Sequence, residues 1–182
     1  TPADIVRMDL SGNILAGKWT VNPGIALHLA LHRHRSDVEV AIHNHSRYGT
    51  VWAGLQRVPP IYDQTSAMVD GEIALYDQYD GPVGEFEQAE DAVVAIGDAK
   101  MALLANHGVL VLANNIRQAH LRAVTLEYRA RLAWHIEAAG TGVELRADVA
   151  QAFGAMVDGH LFPGLWEAMV RKELRMDPSL TL

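Results

Sequence analysis

A chain of 182 residues, 49% hydrophobic and 20% charged, has the make-up of a soluble globular domain long enough to bury a sizeable core. A formal net charge of −7 without any Lys/Arg run excludes an electrostatic nucleic-acid binder. The lack of cysteine excludes thiolate metal sites, thiol nucleophiles and disulfides. No apolar stretch reaches membrane-spanning length and the opening residues carry no signal-peptide pattern, so a cytoplasmic protein with no membrane partner is expected.

Residues 5–10 and 14–16 flank the turn Ser11-Gly12-Asn13 and predict a hairpin. The chain opens on it abruptly, which leaves room for a preceding piece of the fold. Residues 22–35 read as a largely buried helix, with Asn22 as N-cap and Pro23 at the first helical position. A β-branched strand over 38–43 follows. Ser46 then caps a helix over 47–56 that places Val51, Trp52 and Leu55 on one face. Pro59-Pro60 ends it, Ile61-Tyr62 begins a short extended piece, and 63–71 is loop-like. A strand over 72–76 leads into a Gly/Asp/Pro-rich loop over 77–84.

An amphipathic helix is expected over 86–98, with Val93, Val94 and Ile96 inward. Strands over 101–105 and 109–112 flank Asn106-His107-Gly108. Asn115 caps a long helix reaching Ala139 and closed by Gly140. Helices over 146–157 and from Pro163 to about Arg175 form the tail. Strands interleaved with helices, without repeat or linker, predict a layered α/β fold in one domain over 1–182.

Nine histidines need sorting. His43 and His45 stand two apart at a strand end, so their side chains project to the same face. His107 closes a second apolar run far along the chain. Three imidazoles from two strand ends are what a catalytic divalent metal site needs, with an open position for water or substrate. His32 and His34 repeat the His-x-His spacing on a helix, where they point roughly 200° apart and cannot share an ion. His28 and His32 share a helix face but read as ordinary helical histidines, and His120, His135 and His160 as structural or surface residues.

The blocks HLALHRHRSDVEVAIHNHSRYGTVWAGL (28–55) and LLANHGVLVLANNIRQAHLRAVTLE (103–127) together resemble the class II aldolase/adducin family, over about residues 4–140. That family contains sugar-phosphate aldolases, ribulose-phosphate 4-epimerases, related decarboxylases and the non-enzymatic adducin head domain. The resemblance implies a three-layer α/β/α domain with a mostly antiparallel or mixed sheet, lacking its N-terminal part here and followed by a helical tail over 146–182. It also implies a homo-oligomer, commonly a C4 tetramer with its active site at a subunit interface. The implied cofactor is a divalent metal on His43, His45 and His107, zinc or manganese first, with iron or cobalt as further options.

The departures from the family pattern direct the chemistry. Where the aldolases carry Ser-Ser-Glu, two phosphate-binding serines and the acid/base carboxylate, gapless counting lands on Asn22-Pro23-Gly24. The epimerases' Asp is missing there too. The aldolase loop tyrosine falls at Gln64, near Tyr62 and Asp63. A dication on three neutral imidazoles is a strong Lewis acid that stabilises an enolate. Decarboxylation asks least of the protein, because no base must first remove a proton. The expectation is therefore a metal-dependent carbon–carbon lyase, by decarboxylation or retro-aldol cleavage, acting on a small oxo- or hydroxy-acid or sugar derivative without phosphate. Tyr48, Tyr62 and Asp63 are the candidate proton-transfer residues. The alternatives are an epimerase or isomerase, favoured by Ser46-Arg47 and Thr50-x-Trp52, and a non-catalytic adducin-like binding domain.

Overall fold

The computed structural model describes residues 2–69, 73–78, 86–160 and 164–181. A short hairpin comes first, β1 (Arg7–Met8) against β2 (Ile14–Ala16). The Asp9 carboxylate ends β1 by accepting from the N–H groups of Ser11 and Asn13, each at 2.9 Å, so the strand is shorter than its apolar run suggests. Next come α1 (Ile25–His34), β3 (Val40–Asn44), α2 (Arg47–Leu55), β4 (Ile73–Tyr76), α3 (Phe86–Ile96), β5 (Met101–Leu104), β6 (Gly108–Ala113) and α4 (Ile116–Ala139). The tail folds as α5 (Ala147–His160) and α6 (Leu165–Met176). Residue 72, residues 79–84 of the expected loop and Pro163 lie outside the described residues.

Strands β3 to β6 form one mixed sheet in the order β3-β6-β5-β4. The β3/β6 and β6/β5 pairs are antiparallel, and β5/β4 is parallel. The parallel step follows from α3, which connects β4 to β5 as a crossover, whereas the turn over 105–107 returns the chain directly. Every residue of β5 and β6 is buried, as expected for central strands covered on both faces.

Alternation along those strands sorts the core into two layers. Ala102, Leu104, Leu110 and Leu112 pack with Ala26, Leu27, Ala30 and Leu31 of α1 and Ala89, Ala92, Val93 and Ile96 of α3. Met101, Leu103, Val109 and Val111 face the other way, onto Trp52 and Ala53 of α2 and Leu121, Leu126, Ala130 and Ala133 of α4. The architecture is therefore helix–sheet–helix in three layers, matching the expected fold class. No helix among the described residues is long and apolar enough to cross a membrane.

Three local readings change. Val94 is 81% exposed while Val93 and Ile96 are buried, because the inward stripe of α3 runs through 89, 92, 93 and 96 and the next residue turns about 100° away. On α2 the buried face is Gly49, Trp52 and Ala53, leaving Val51 and Leu55 exposed. Helix α1 starts at Ile25 rather than 22. Asn22 folds back instead, its Oδ1 accepting from Gly24 N at 2.8 Å. Asn115, in contrast, caps α4 as expected, its side chain accepting from Gln118 N at 2.9 Å.

Trp52 locks α2 to α4. Its side chain is fully buried and Nε1 donates to the Ala130 carbonyl at 2.8 Å. Truncation removes the largest buried side chain of that layer and leaves a cavity. Trp52→Ala is expected to cost about 3–5 kcal/mol of unfolding free energy in denaturant titration. Val94→Ser, on the exposed face of α3, should stay within about 0.5 kcal/mol of the parent.

Candidate metal centre

The pairing of β3 with β6 brings the two histidine segments together. Asn44 lies opposite Val109 and His43 opposite Leu110, so the end of β3 sits beside the start of β6. His45, one residue past β3, therefore meets His107, the last residue of the turn before β6. Asn106 takes the left-handed conformation (φ 54°) that lets the chain reverse there, a state Asn tolerates better than most residues. Its backbone N–H donates to Ala53 O at 3.2 Å, which seats the turn against α2.

Gly108 makes the close approach possible. A Cβ there would lie 2.6 Å from Asn44 O and 2.7 Å from Cδ2 of His45. The His45 ring thus lies across a backbone that has no side chain to push it away.

The three rings form a propeller. Their centroids stand 4.7 Å apart for His43/His107, 4.9 Å for His45/His107 and 5.2 Å for His43/His45, with planes crossed at 66–73°. One ring nitrogen from each falls within 4.8 Å of the others, a grouping that can hold a metal ion. Val109 O accepts from Nδ1 of His43 at 3.0 Å, which puts the proton on Nδ1 and leaves the Nε2 lone pair available. Burial, with the neighbouring His45, pushes the His43 pKa below the ordinary imidazole value despite the Val109 bond. Burial followed by His43 and His45 does the same at His107. Neutral imidazoles are the ligating form. His45 is exposed and the other two are half-buried, so the cluster opens to solvent on the His45 side.

Among the described residues the cluster contains no carboxylate. Gly24 is the N-cap residue of α1, and only Asn22 Oδ1, at 3.3 Å, would meet a Cβ built on it. His28, on the same helix, is half-buried, with its pKa lowered by burial first and then by His43 and His32.

The candidate proton-transfer residues take partners elsewhere. The Tyr48 ring packs on Trp134 and His135 of α4, with centroids 6.0 and 5.8 Å apart. Tyr62 donates its hydroxyl to Glu137 Oε1 at 3.4 Å. Asp63 accepts from Ser66 N at 2.9 Å and from the Tyr128 hydroxyl at 3.0 Å. All three are tied to α4 or to their own turn rather than to the histidine triad. The remaining histidines behave as structural residues: His32 Nδ1 lies 3.2 Å from Val38 O, His34 pairs with Glu90, and His120 stacks edge-on against Trp166.

Sequence reasoning missed two contributors. In the sequence Gly108 reads only as a strand boundary, although a glycine directly after a candidate ligand is a signal of close packing. Glu127 was not singled out at all, yet its carboxylate accepts from the first-turn N–H groups of α2. Its one sequence signal is an acid beside the buried stripe of α4, where it needs a donor.

A methyl group at Gly108 must displace the His45 ring or the Asn44 carbonyl. Gly108→Ala is therefore expected to weaken Zn(II) binding by about tenfold or more in competition with a chromophoric chelator. Wild-type affinity in that variant would show that the ring moves without consequence.

The match to known proteins agrees with this geometry. The family model described as Class II Aldolase and Adducin N-terminal domain matches residues 1–134. The L-fuculose phosphate aldolase of Methanococcus maripaludis is 32% identical over 132 residues, covering 72% of this chain and 70% of that protein. Decarboxylase NovR of Streptomyces niveus is 27% identical over 183 residues, covering 99% of this chain and 68% of its own length. Among solved structures, an aldolase II superfamily protein from Pseudomonas syringae superposes with a TM-score of 0.80 at 26% identity, covering 97% of this chain and 74% of that one. The fold and paired histidine segments of this chain agree with the extent of the family match: the chain belongs to the class II aldolase and adducin family.

Proposed function

We propose that this protein is a divalent-metal-dependent carbon–carbon lyase, in which His43, His45 and His107 hold the cation and the reaction is decarboxylation or retro-aldol cleavage. The observation that carries the reading is the triad itself: three ring nitrogens from two distant segments within 4.8 Å of one another. A set of three imidazoles with one open side fits zinc, with manganese, iron or cobalt as alternatives. When bound, a dication supplies Lewis-acid stabilisation of negative charge on a substrate oxygen.

The chain's own residues narrow the chemistry. Val109 O fixes the His43 tautomer, and the exposed edge of His45 leaves room for a small substrate. Gly24 offers no proton acceptor where the family's aldolases carry a carboxylate, and Asn22-Pro23 offers no pair of hydroxyls for a phosphate. Both departures favour decarboxylation of an unphosphorylated β-keto acid, hydroxylated or not, over cleavage of a sugar phosphate. Tyr48, Tyr62 and Asp63 stay as candidate proton carriers, acting only if a partner subunit or a bound substrate draws them from their contacts on α4. Exposed Val51, Leu55, Tyr128 and Trp134 on α2 and α4 support assembly as a homo-oligomer, which we place in the cytoplasm as one domain over 1–182.

Three measurements test the reading. Chelator-treated protein should regain activity with Zn(II) or Mn(II), and His43→Ala should lose stoichiometric metal. Full metal content in that variant, or full activity of the metal-free protein, would overturn the ligand assignment. A panel of unphosphorylated β-keto acids, with and without hydroxyl groups, should release CO2, while sugar 1-phosphates should give little aldehyde. The reverse pattern would return the assignment to a sugar-phosphate aldolase.

A further inference from the structure

Helix α2 begins two residues after His45, and its N-terminus is not capped by its own side chain. Ser46 occupies the N-cap position, yet its Oγ is buried with no hydrogen-bond partner. The first-turn donors go instead to α4. Tyr48 N donates to Glu127 Oε1 and Oε2 at 3.0 and 3.1 Å, and Gly49 N donates to Oε2 at 2.9 Å. Those are the two N–H groups that a local N-cap would normally satisfy. A carboxylate placed there gains charge-assisted hydrogen bonds and a favourable interaction with the positive end of the helix.

The turn that carries His45 is thus clamped from both sides. Upstream, Asn44 Oδ1 accepts from Ser46 N at 3.0 Å. Downstream, Glu127 holds residues 48 and 49, and Gly49 lets this first turn press onto β6, since a Cβ there would lie 2.6 Å from Val109 Cγ1. His43 has a ladder and the Val109 bond to fix it. His45 is the exposed member of the triad and lies beyond the strand, so its backbone position depends on the turn.

We propose that Glu127 is a positioning residue for the metal centre: its carboxylate, by capping α2 from another helix, holds the strand-to-helix turn so that His45 completes the triad. The proposal rests on the reading of the triad as a metal site. It predicts a loss of cation affinity centred on one ligand, rather than a general loss of stability.

The test uses Zn(II) affinity by chelator competition and the visible spectrum of the Co(II)-substituted protein. Glu127→Gln keeps the shape and one acceptor oxygen, and should bind Zn(II) about tenfold more weakly; Glu127→Ala should lose more. The Co(II) spectrum of Glu127→Ala should move toward that of His45→Ala. Adding Ser46→Asp to Glu127→Ala, which returns a carboxylate to the same two N–H groups, should recover affinity. Ile96→Ala, in the core layer on the other face of the sheet, serves as a variant that destabilises without touching the turn. Wild-type Zn(II) affinity in both Glu127 variants, or a loss no larger than that of Ile96→Ala, would overturn the proposal. If Glu127→Ala does not fold, the Gln variant carries the comparison alone. No Zn(II) binding by the wild-type chain would overturn both this proposal and the metal reading, whereas normal binding that ignores Glu127 overturns only this one.

Discussion

The antiparallel pairing of β3 with β6 is the constraint on which the rest depends. Its register sets Asn44 opposite Val109, and that one alignment brings residues 43–45 beside residue 107. A slip of one residue would turn His43 to the opposite face of the sheet and carry its neighbours with it. Burial enforces the register: Val109 and Val111 must face α2 and α4, while Leu110 and Leu112 must face α1 and α3. The same hydrophobic sorting that builds the core also aligns the imidazoles. Gly108 then allows the close approach of the His45 ring to the start of β6.

The family spans more than one reaction, and this architecture explains how. In this chain the triad is supplied by a strand end and a hairpin turn of the central sheet, apart from the loops and helix starts around it. Relatives of this chain include proteins named for aldol cleavage and for decarboxylation. At the start of α1 this chain has Gly24, where a Cβ would lie 3.3 Å from Asn22 Oδ1, so a longer side chain there requires Asn22 to give way.

Much of this was legible in the sequence, for identifiable reasons. His43 and His45 sit on a period-two element, so their shared face follows from backbone geometry alone. The long apolar runs at 101–105 and 109–112 read as strands, and the fold class followed from the alternation of strands with helices; that these two are the central pair shows only in the sheet order. What stayed hidden depended on partners distant in the chain. Nothing local says that Ser46 leaves its capping role to a carboxylate 79 residues away from Tyr48. Val51 and Val94 are apolar residues on helices, and the sequence does not tell which of two adjacent apolar positions turns inward until the neighbouring layer is known. The sequence places Tyr48 just after the ligands, but does not tell that its ring packs on Trp134 and His135 of α4. Asn22 was read as a cap, and it folds into a turn of its own because the helix starts after Gly24.

Helices α2 and α4 meet along a single stripe of the longer one. Glu127 reaches Tyr48 and Gly49, Ala130 accepts from Trp52, Trp134 stacks near Tyr48, and Glu137 pairs with Arg57 just past the end of α2. These α4 positions advance by three or four residues, the repeat of one helical face. Inserting or deleting one residue between 127 and 137 would rotate everything beyond it by about 100° and break the stripe in the middle. In this chain α4 thus serves as a ruler whose graduations cannot be shifted without unseating its neighbour.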